Sequence, residues 1–379
     1  MTLLYLDNAA TTPLHPEVRA AMAPYLEAEY GNPSSMHAAG RRARQAVEKA
    51  REQLAKALGA PANDIVFTSG GTESDNSAIV GAVLANRAER RHIVTTTIEH
   101  HAVLQTCEFL EKMGCEVTYI SPDSDGIVKK EEVLAAIRPD TAVVSVMYVN
   151  NETGAIQPVE EIAHACAEQG VLFHTDAVQA VGLLPIDVKA GKIDMLSLSG
   201  HKLHGPKGIG ALYVRRDANW HPILHGGSQE RKRRAGTENV AGIVGLGAAI
   251  ERMVKHRRAN YEHILALKHR MLDILKEEVD FLVVNSPEQS VPSIVSVSFP
   301  GVSADTMLMN LDMAGIAAAS GSACTSGSLQ PSHVLTAMNL EPTCVKSAIR
   351  FSFSEQTTLE EVETAAYKTA AIANKLKRR

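Results

Sequence analysis

No Cys-x-x-Cys pair occurs anywhere in this chain, and its five cysteines, Cys107, Cys115, Cys166, Cys324 and Cys344, are odd in number and scattered. That excludes a disulfide framework and offers no zinc-finger spacing, so no metal site is expected. A reducing cytosol is the expected setting. Excess positive charge is missing as well: a net charge of −5 leaves no basic footprint for nucleic acid. No apolar run reaches the roughly 18 residues a membrane span needs. The opening Met1-Thr2-Leu3-Leu4-Tyr5-Leu6-Asp7 meets an acid early and lacks basic residues, so no signal peptide is expected. Internal repeats and low-complexity linkers are absent too.

What is present is ordinary globular material, 45% hydrophobic and 21% charged, with 379 residues to spend on two domains and a large core. Helical spacing marks 16–26 and 37–58. Strands at 65–68, 92–98, 116–120, 141–149, 171–175 and 193–199 then alternate with helices at 72–90, 101–113, 129–137 and 159–169. The strands are apolar rather than half-polar, which predicts an α/β fold: a mostly parallel sheet with helices on both faces. Ligands in such sheets sit beyond the carboxyl ends of the strands. After Asn239 the pattern changes to one or two long helices, 240–278, then short strands and helices. This predicts a smaller α+β domain, with residues 15–257 forming the large domain and 1–14 with 258–379 the small one.

The strand ends carry the unusual residues. The run 193–198 breaks at Gly200 and presents His201 and Lys202 before a Gly/Pro-rich turn. A lysine there packs poorly but suits a Schiff base, because partial desolvation favours the neutral amine; the plain alternative is an exposed turn lysine. Thr68-Ser69-Gly70-Gly71-Thr72-Glu73 joins a strand to a helix. Its glycines let backbone approach a ligand, and Thr72 either caps the helix or also seats a phosphate. His100 either satisfies the local structure or stacks on a flat ring and moves a proton. Asn150 and Asn151 are turn formers first and ligand donors second. Asp176, at the end of a buried strand, needs a positive partner. A protonated pyridine nitrogen is one, and Gln179 reaches the same plane. A lysine, an anion for a ring nitrogen and a phosphate cup on one sheet edge point to pyridoxal 5'-phosphate.

Cys324 sits in Ser320-Gly321-Ser322-Ala323-Cys324-Thr325-Ser326-Gly327-Ser328, among small polar residues with nothing to bury, and is read as a reachable nucleophile. The other cysteines have apolar settings and are read as inert. Arg350, within the strand 348–352, is either a clamp on a substrate carboxylate or a surface ion pair. The basic, glycine-rich run 225–239 is either a solvated loop or a source of phosphate contacts, within the chain or across a dimer.

At this point the chain resembles the cysteine desulfurases, fold-type I pyridoxal phosphate enzymes related to class V aminotransferases. The likeness rests on Tyr5-Leu6-Asp7-Asn8-Ala9-Ala10-Thr11-Thr12-Pro13, Gly31-Asn32-Pro33-Ser34-Ser35, Thr68 to Asn76, Glu99-His100, Asn150 to Gly154, Asp176 to Gln179, Ser199 to Lys202, Gly236-Thr237-Glu238-Asn239 and Ser320 to Ser326. The form of the cysteine motif resembles the bacterial iron–sulfur and nitrogenase-assembly group, not the group with a shorter loop that overlaps selenocysteine lyases. The resemblance implies that Lys202 carries the cofactor and moves protons, Asp176 pairs with the pyridinium, Gln179 meets the ring hydroxyl and His100 stacks on the ring. Gly71, Thr72, Ser199 and His201 bind the phosphate, with Thr237 reaching in from the second subunit of a homodimer. Asn151 and Arg350 hold the carboxylate of L-cysteine. Cys324 becomes a persulfide and passes sulfur to an acceptor protein, an iron–sulfur scaffold or a tRNA-thiolation enzyme; whether Cys324 also ligates an iron–sulfur cluster stays open. Two other readings remain beside it: a different pyridoxal phosphate enzyme, or a sulfur-relay scaffold without turnover. Ser228, Lys232 and Arg233 stand where the family has smaller residues, and Asn339 and Ser354 where it often has glycine.

Overall fold

The computed structural model describes residues 3–86, 90–321 and 331–378, so Cys324 lies outside the described residues. Along the larger part of the chain run β1 (Leu4–Tyr5), α1 (Pro16–Glu27), α2 (Ala38–Leu58), β2 (Ile65–Thr68), α3 (Gly71–Asn86), β3 (His92–Thr96), α4 (His101–Lys112), β4 (Glu116–Ile120), α5 (Lys130–Ala135), β5 (Thr141–Ser145), α6 (Val159–Glu168), β6 (Leu172–Asp176), β7 (Met195–Ser199) and β8 (Gly210–Val214). Seven strands form one sheet in the order β2-β8-β7-β6-β5-β3-β4. All neighbours from β7 to β4 are parallel, and β8 alone runs against both of its neighbours. The mostly parallel sheet is therefore as expected.

Side chains alternate across a strand, and the alternation builds two cores. Ile93, Val143, Met195 and Leu212 point to one face, against Ile79, Val83, Val103 and Leu110 of α3 and α4. Val94, Val144, Leu196 and Tyr213 point to the other, against Leu54, Leu58, Ile162 and Ala163 of α2 and α6. This double cover is why apolar residues stand on both faces of the central strands.

The remaining elements are α7 (Val240–Glu278), β9 (Val283–Val284), β10 (Ile294–Ser298), α8 (Ala304–Met313), β11 (Ile316–Ala317), α9 (His333–Ala337), α10 (Pro342–Val345), β12 (Ala348–Ser352) and α11 (Leu359–Lys377). α7 is one unbroken helix. Ile243, Leu246, Ile250 and Met253 pack into the core of the seven-stranded sheet. Ile264, Leu267, Met271 and Leu275 pack into a separate core with Leu4, Leu6, Val295, Phe351 and Val362. That second core covers the antiparallel sheet β12-β10-β9, and β1 pairs with β11 beside it. Among the described residues no helix is long and apolar enough to cross a membrane.

Element ends differ from expectation where hydrogen bonding decides. The strand expected over 141–149 ends at Ser145. Yet Val146 and Tyr148 still donate to the carbonyls of His174 and Asp176, at 3.1 and 2.8 Å, so the chain follows β6 out to its tip. The short α10 has no sequence periodicity to announce it.

Candidate active site

Because β2, β3, β5, β6 and β7 share one direction, their carboxyl ends open onto one edge of the sheet. There a cavity of about 370 Å³ is lined by Gly71, Thr72, His100, Asn151, Asp176, Gln179, Ser199, His201, Lys202 and Arg350. Ten of the twelve residues singled out from sequence thus meet in one place. Thr237 is exposed and is not part of the lining. Cys324 lies outside the described residues.

Asp176, the last residue of β6, is 6% exposed, and its Oδ1 accepts the Val178 N–H at 2.9 Å. Burial raises its pKa, while His100 and Lys202 pull it down. His100 caps α4: its Nδ1 accepts the Ala102 N–H at 3.1 Å. Burial, the largest cause, lowers its pKa, so the ring is neutral near pH 7 and its proton sits on Nε2. His100 is therefore both a structural cap and a wall of the cavity. Burial and the neighbouring Lys202 and Lys207 hold His201 down at about 4. The Lys202 ammonium donates to the carbonyl oxygens of Ala9 and, at 2.8 Å, of Ala10.

Thr72 does not cap its helix as expected. α3 starts at Gly71, which puts Thr72 inside the first turn, and the free Ser69 N–H is taken by Glu73 Oε2 at 2.8 Å. The turn still presents helix N–H groups beside Ser199 and His201, an arrangement suited to a phosphate. A Cβ on Gly71 would press to 3.0 Å from Val178 Cγ2, so glycine keeps this approach open. The adjacent amides divide the work. Asn150 Oδ1 accepts the N–H groups of Glu152 and Thr153 and holds the turn, while Asn151 faces the cavity.

Arg350 is no surface ion pair. It is 3% exposed, donates to Asp7 Oδ1 at 3.0 Å and to the Asn151 carbonyl at 2.7 Å, and keeps a buried Nε without a hydrogen-bond partner. The loop 225–239 is tied inward by Glu230 and by Arg234, which pairs with Glu73 at 2.8 Å. Two departures from the family pattern fall on left-handed backbone, Lys232 at φ 66° and Asn339 at φ 56°. Glycine is the usual occupant there, and asparagine tolerates it next best.

The sequence reading missed two contributors. The N-terminal arm brings Ala9 and Ala10 to Lys202, and Gln179 Nε2 donates to the same Ala9 carbonyl at 3.0 Å. Asp75, one helical turn past Gly71, is buried beside Asp176, with its Oδ1 3.7 Å from His174 Nε2. Burial and then Asp176 push its pKa well up. An Asp amid a helix that packs on a sheet was the signal available. An amine, a buried carboxylate and a helix N-terminus around one cavity fit a phosphorylated carbonyl cofactor with a cationic ring.

The sequence profile of class V aminotransferases matches residues 4–364, and the chain belongs to that family. The family is pyridoxal phosphate-dependent in general. A cysteine desulfurase of Nostoc sp. (strain PCC 7120) is 50% identical over 364 residues, 96% of this chain and 91% of that protein. A solved NifS-like protein superposes with a TM-score of 0.93 at 37% identity, covering 99% of this chain and 100% of that one. The structure of SspA in complex with cysteine has a TM-score of 0.84 at 38% identity, over 93% of this chain and 99% of that one. Within the class V family, this chain is one of the cysteine desulfurases.

Proposed function

We propose that this protein takes sulfur from L-cysteine, releases L-alanine, and holds the sulfur on Cys324 for delivery to an acceptor protein. The observation that carries this reading is the meeting of Lys202, Asp176 and Arg350 in one cavity, in a chain whose sequence also sets Cys324 among small polar residues.

Gly71, Thr72, Ser199 and His201 would hold the phosphate of pyridoxal 5'-phosphate, Asp176 its ring nitrogen, Gln179 its ring hydroxyl and His100 its face. When bound, that group supplies an electrophilic carbonyl and a ring that accepts electrons. The chain's residues do the rest. Arg350 and Asn151 bind the substrate carboxylate, and Asp176 keeps a proton on the ring nitrogen. Lys202 would remove the α-proton of the substrate; His100 is placed to move a proton at Nε2. The Cys324 thiolate attacks the substrate sulfur as the carbon–sulfur bond breaks. L-cysteine and one thiol become L-alanine and one persulfide, a balance that needs no outside oxidant.

The acceptor is an iron–sulfur scaffold or a tRNA-thiolation enzyme. The exposure of Thr237 away from its own cavity supports a homodimer in which it reaches the partner's phosphate site. The free thiols of Cys107, Cys166 and Cys344 support a cytoplasmic setting. The passage of α7 between two cores supports a division into 15–257 and 1–14 with 258–379. The test is to load the protein with the cofactor, add L-cysteine and measure alanine. Wild type should release alanine and Lys202→Ala should not; equal release from both would overturn the reading.

A further inference from the structure

Glu99 stands one residue before His100, in the bend between β3 and α4, and is fully buried at 0% exposure. Its Oε1 accepts two hydrogen bonds, from the Thr96 hydroxyl at 2.8 Å and from the Met147 N–H at 2.9 Å. Its Oε2 is buried without a hydrogen-bond partner. The Glu99 carbonyl accepts from His333 Nε2 at 3.0 Å, and the neighbouring Ile98 carbonyl accepts from Asn150 Nδ2, also at 3.0 Å. The bend that leads into His100 is therefore fixed at three points. The Glu99 carboxyl is the one that crosses to Met147, two residues past the end of β5. Met147 and His100 both line the cavity that holds Lys202 and Asp176.

A carboxylate at this place would lack a counter-charge, which makes burial costly. Among the described residues, the titratable groups that act on it or feel it are Asp176 on β6, Asp75 on α3 and Cys107 on α4, and none of them supplies a positive charge. Burial, the largest cause, raises the Glu99 pKa to about 8, with Asp176 adding to it against the two hydrogen bonds at Oε1. Glu99 is thus an uncharged acid near pH 7. Oε1 already accepts twice, so the proton sits on Oε2.

We propose that Glu99 is a positioning residue: its carboxyl locks the bend after β3 to Met147 and so holds the His100 ring in the cavity wall. This rests on the desulfurase reading, in which His100 lies on the face of the cofactor. A group displaced by about 1 Å can cost up to about a hundredfold in rate. Loss of the lock lowers kcat. It leaves KM alone, because Arg350 is oriented by Asp7 and the Asn151 carbonyl.

Two variants test it. Glu99→Ala removes the lock, while Glu99→Gln keeps the acceptor oxygen and cannot ionise. In cofactor-free protein the Met147 amide should exchange about tenfold faster in Glu99→Ala, and the His100 ring resonances should shift. Glu99→Gln should match wild type in both. A carboxyl whose pKa is raised by folding gives its full stability below 4.5 and loses it as pH climbs toward 8. Glu99→Gln should therefore gain on wild type in melting temperature between those limits. In loaded protein Glu99→Ala should lose about tenfold in kcat for alanine release, with KM for cysteine within about twofold of wild type, and Glu99→Gln should recover most of the rate. Unchanged Met147 exchange and His100 resonances in Glu99→Ala overturn the proposal, as does a Glu99→Gln variant that loses as much as Glu99→Ala. Where Glu99→Ala does not fold, the acid comparison decides: a gap between wild type and Glu99→Gln that is flat with pH overturns it. Wild type that releases no alanine would sink the desulfurase reading alone, because exchange and ring resonances judge the lock without the cofactor.

Discussion

Arg350 and Asp7, 343 positions apart, are joined by a 3.0 Å ion pair at the edge of the cavity. The pair holds the guanidinium in one plane, with its second arm on the Asn151 carbonyl. A substrate carboxylate arriving there meets a fork already oriented. Lysine cannot reproduce two arms. Arg350→Lys should therefore raise KM for cysteine about tenfold to a hundredfold, the worth of a hydrogen bond to a charged group. Initial rates of alanine release check it; an unchanged KM would take Arg350 out of the substrate site.

Cys324→Ala separates the two halves of the chemistry. The residues that would hold the cofactor line the cavity without it, so the variant should bind the cofactor and shift its absorbance on adding cysteine. Alanine release should fall to background. Full turnover in this variant would refute the thiol's role.

A deeply buried ion pair lies away from the cavity. Arg51 and Glu230 have side chains 1% and 2% exposed and meet in a two-armed contact at 2.7 Å. Glu230 Oε2 also accepts the Phe67 N–H at 2.9 Å. The pair anchors three successive left-handed residues, Glu230, Arg231 and Lys232. Arg51→Met should cost about 3–5 kcal/mol in urea unfolding, because Glu230 is left buried and uncompensated. Adding Glu230→Leu should recover much of that loss. Equal stability of the single and double variants would mean that the charge is not what matters.

Glu355 should make stability depend on acid. Burial pushes its pKa up, but His204 at 3.1 Å and Arg252 at 2.7 Å outweigh that and hold it at about 2, below the ordinary 4.5. A carboxyl depressed by folding stabilises the fold above pH 4.5 and loses that contribution as pH falls toward 2. The contribution at neutral pH is on the order of 3 kcal/mol. Glu355→Gln should melt well below wild type at pH 7, and the gap should narrow by pH 3. A gap independent of pH would rule out the charge as its source.

The pattern of elements could be read because an apolar run such as 65–68 is a local signal, and strands covered on both faces show little polar alternation. The lysine, carboxylate and arginine could be read because each is chemically out of place in an apolar stretch or tight turn. Thr72 stands inside the helix and not at its cap because a helix start turns on backbone geometry at Gly70 and Gly71, which residue type alone does not express.

The sequence by itself determined the order of strands and helices, and with it which side chains stand at strand ends, since periodicity and residue chemistry act over a few positions. Only the tertiary structure decided that the carbonyls of Ala9 and Ala10 meet Lys202, that Asp7 meets Arg350, and that Glu152 meets Ser332. Those contacts join distant parts of the chain. They exist because two separately packed cores, linked by α7, close on one another, and no local pattern records where two such bodies touch.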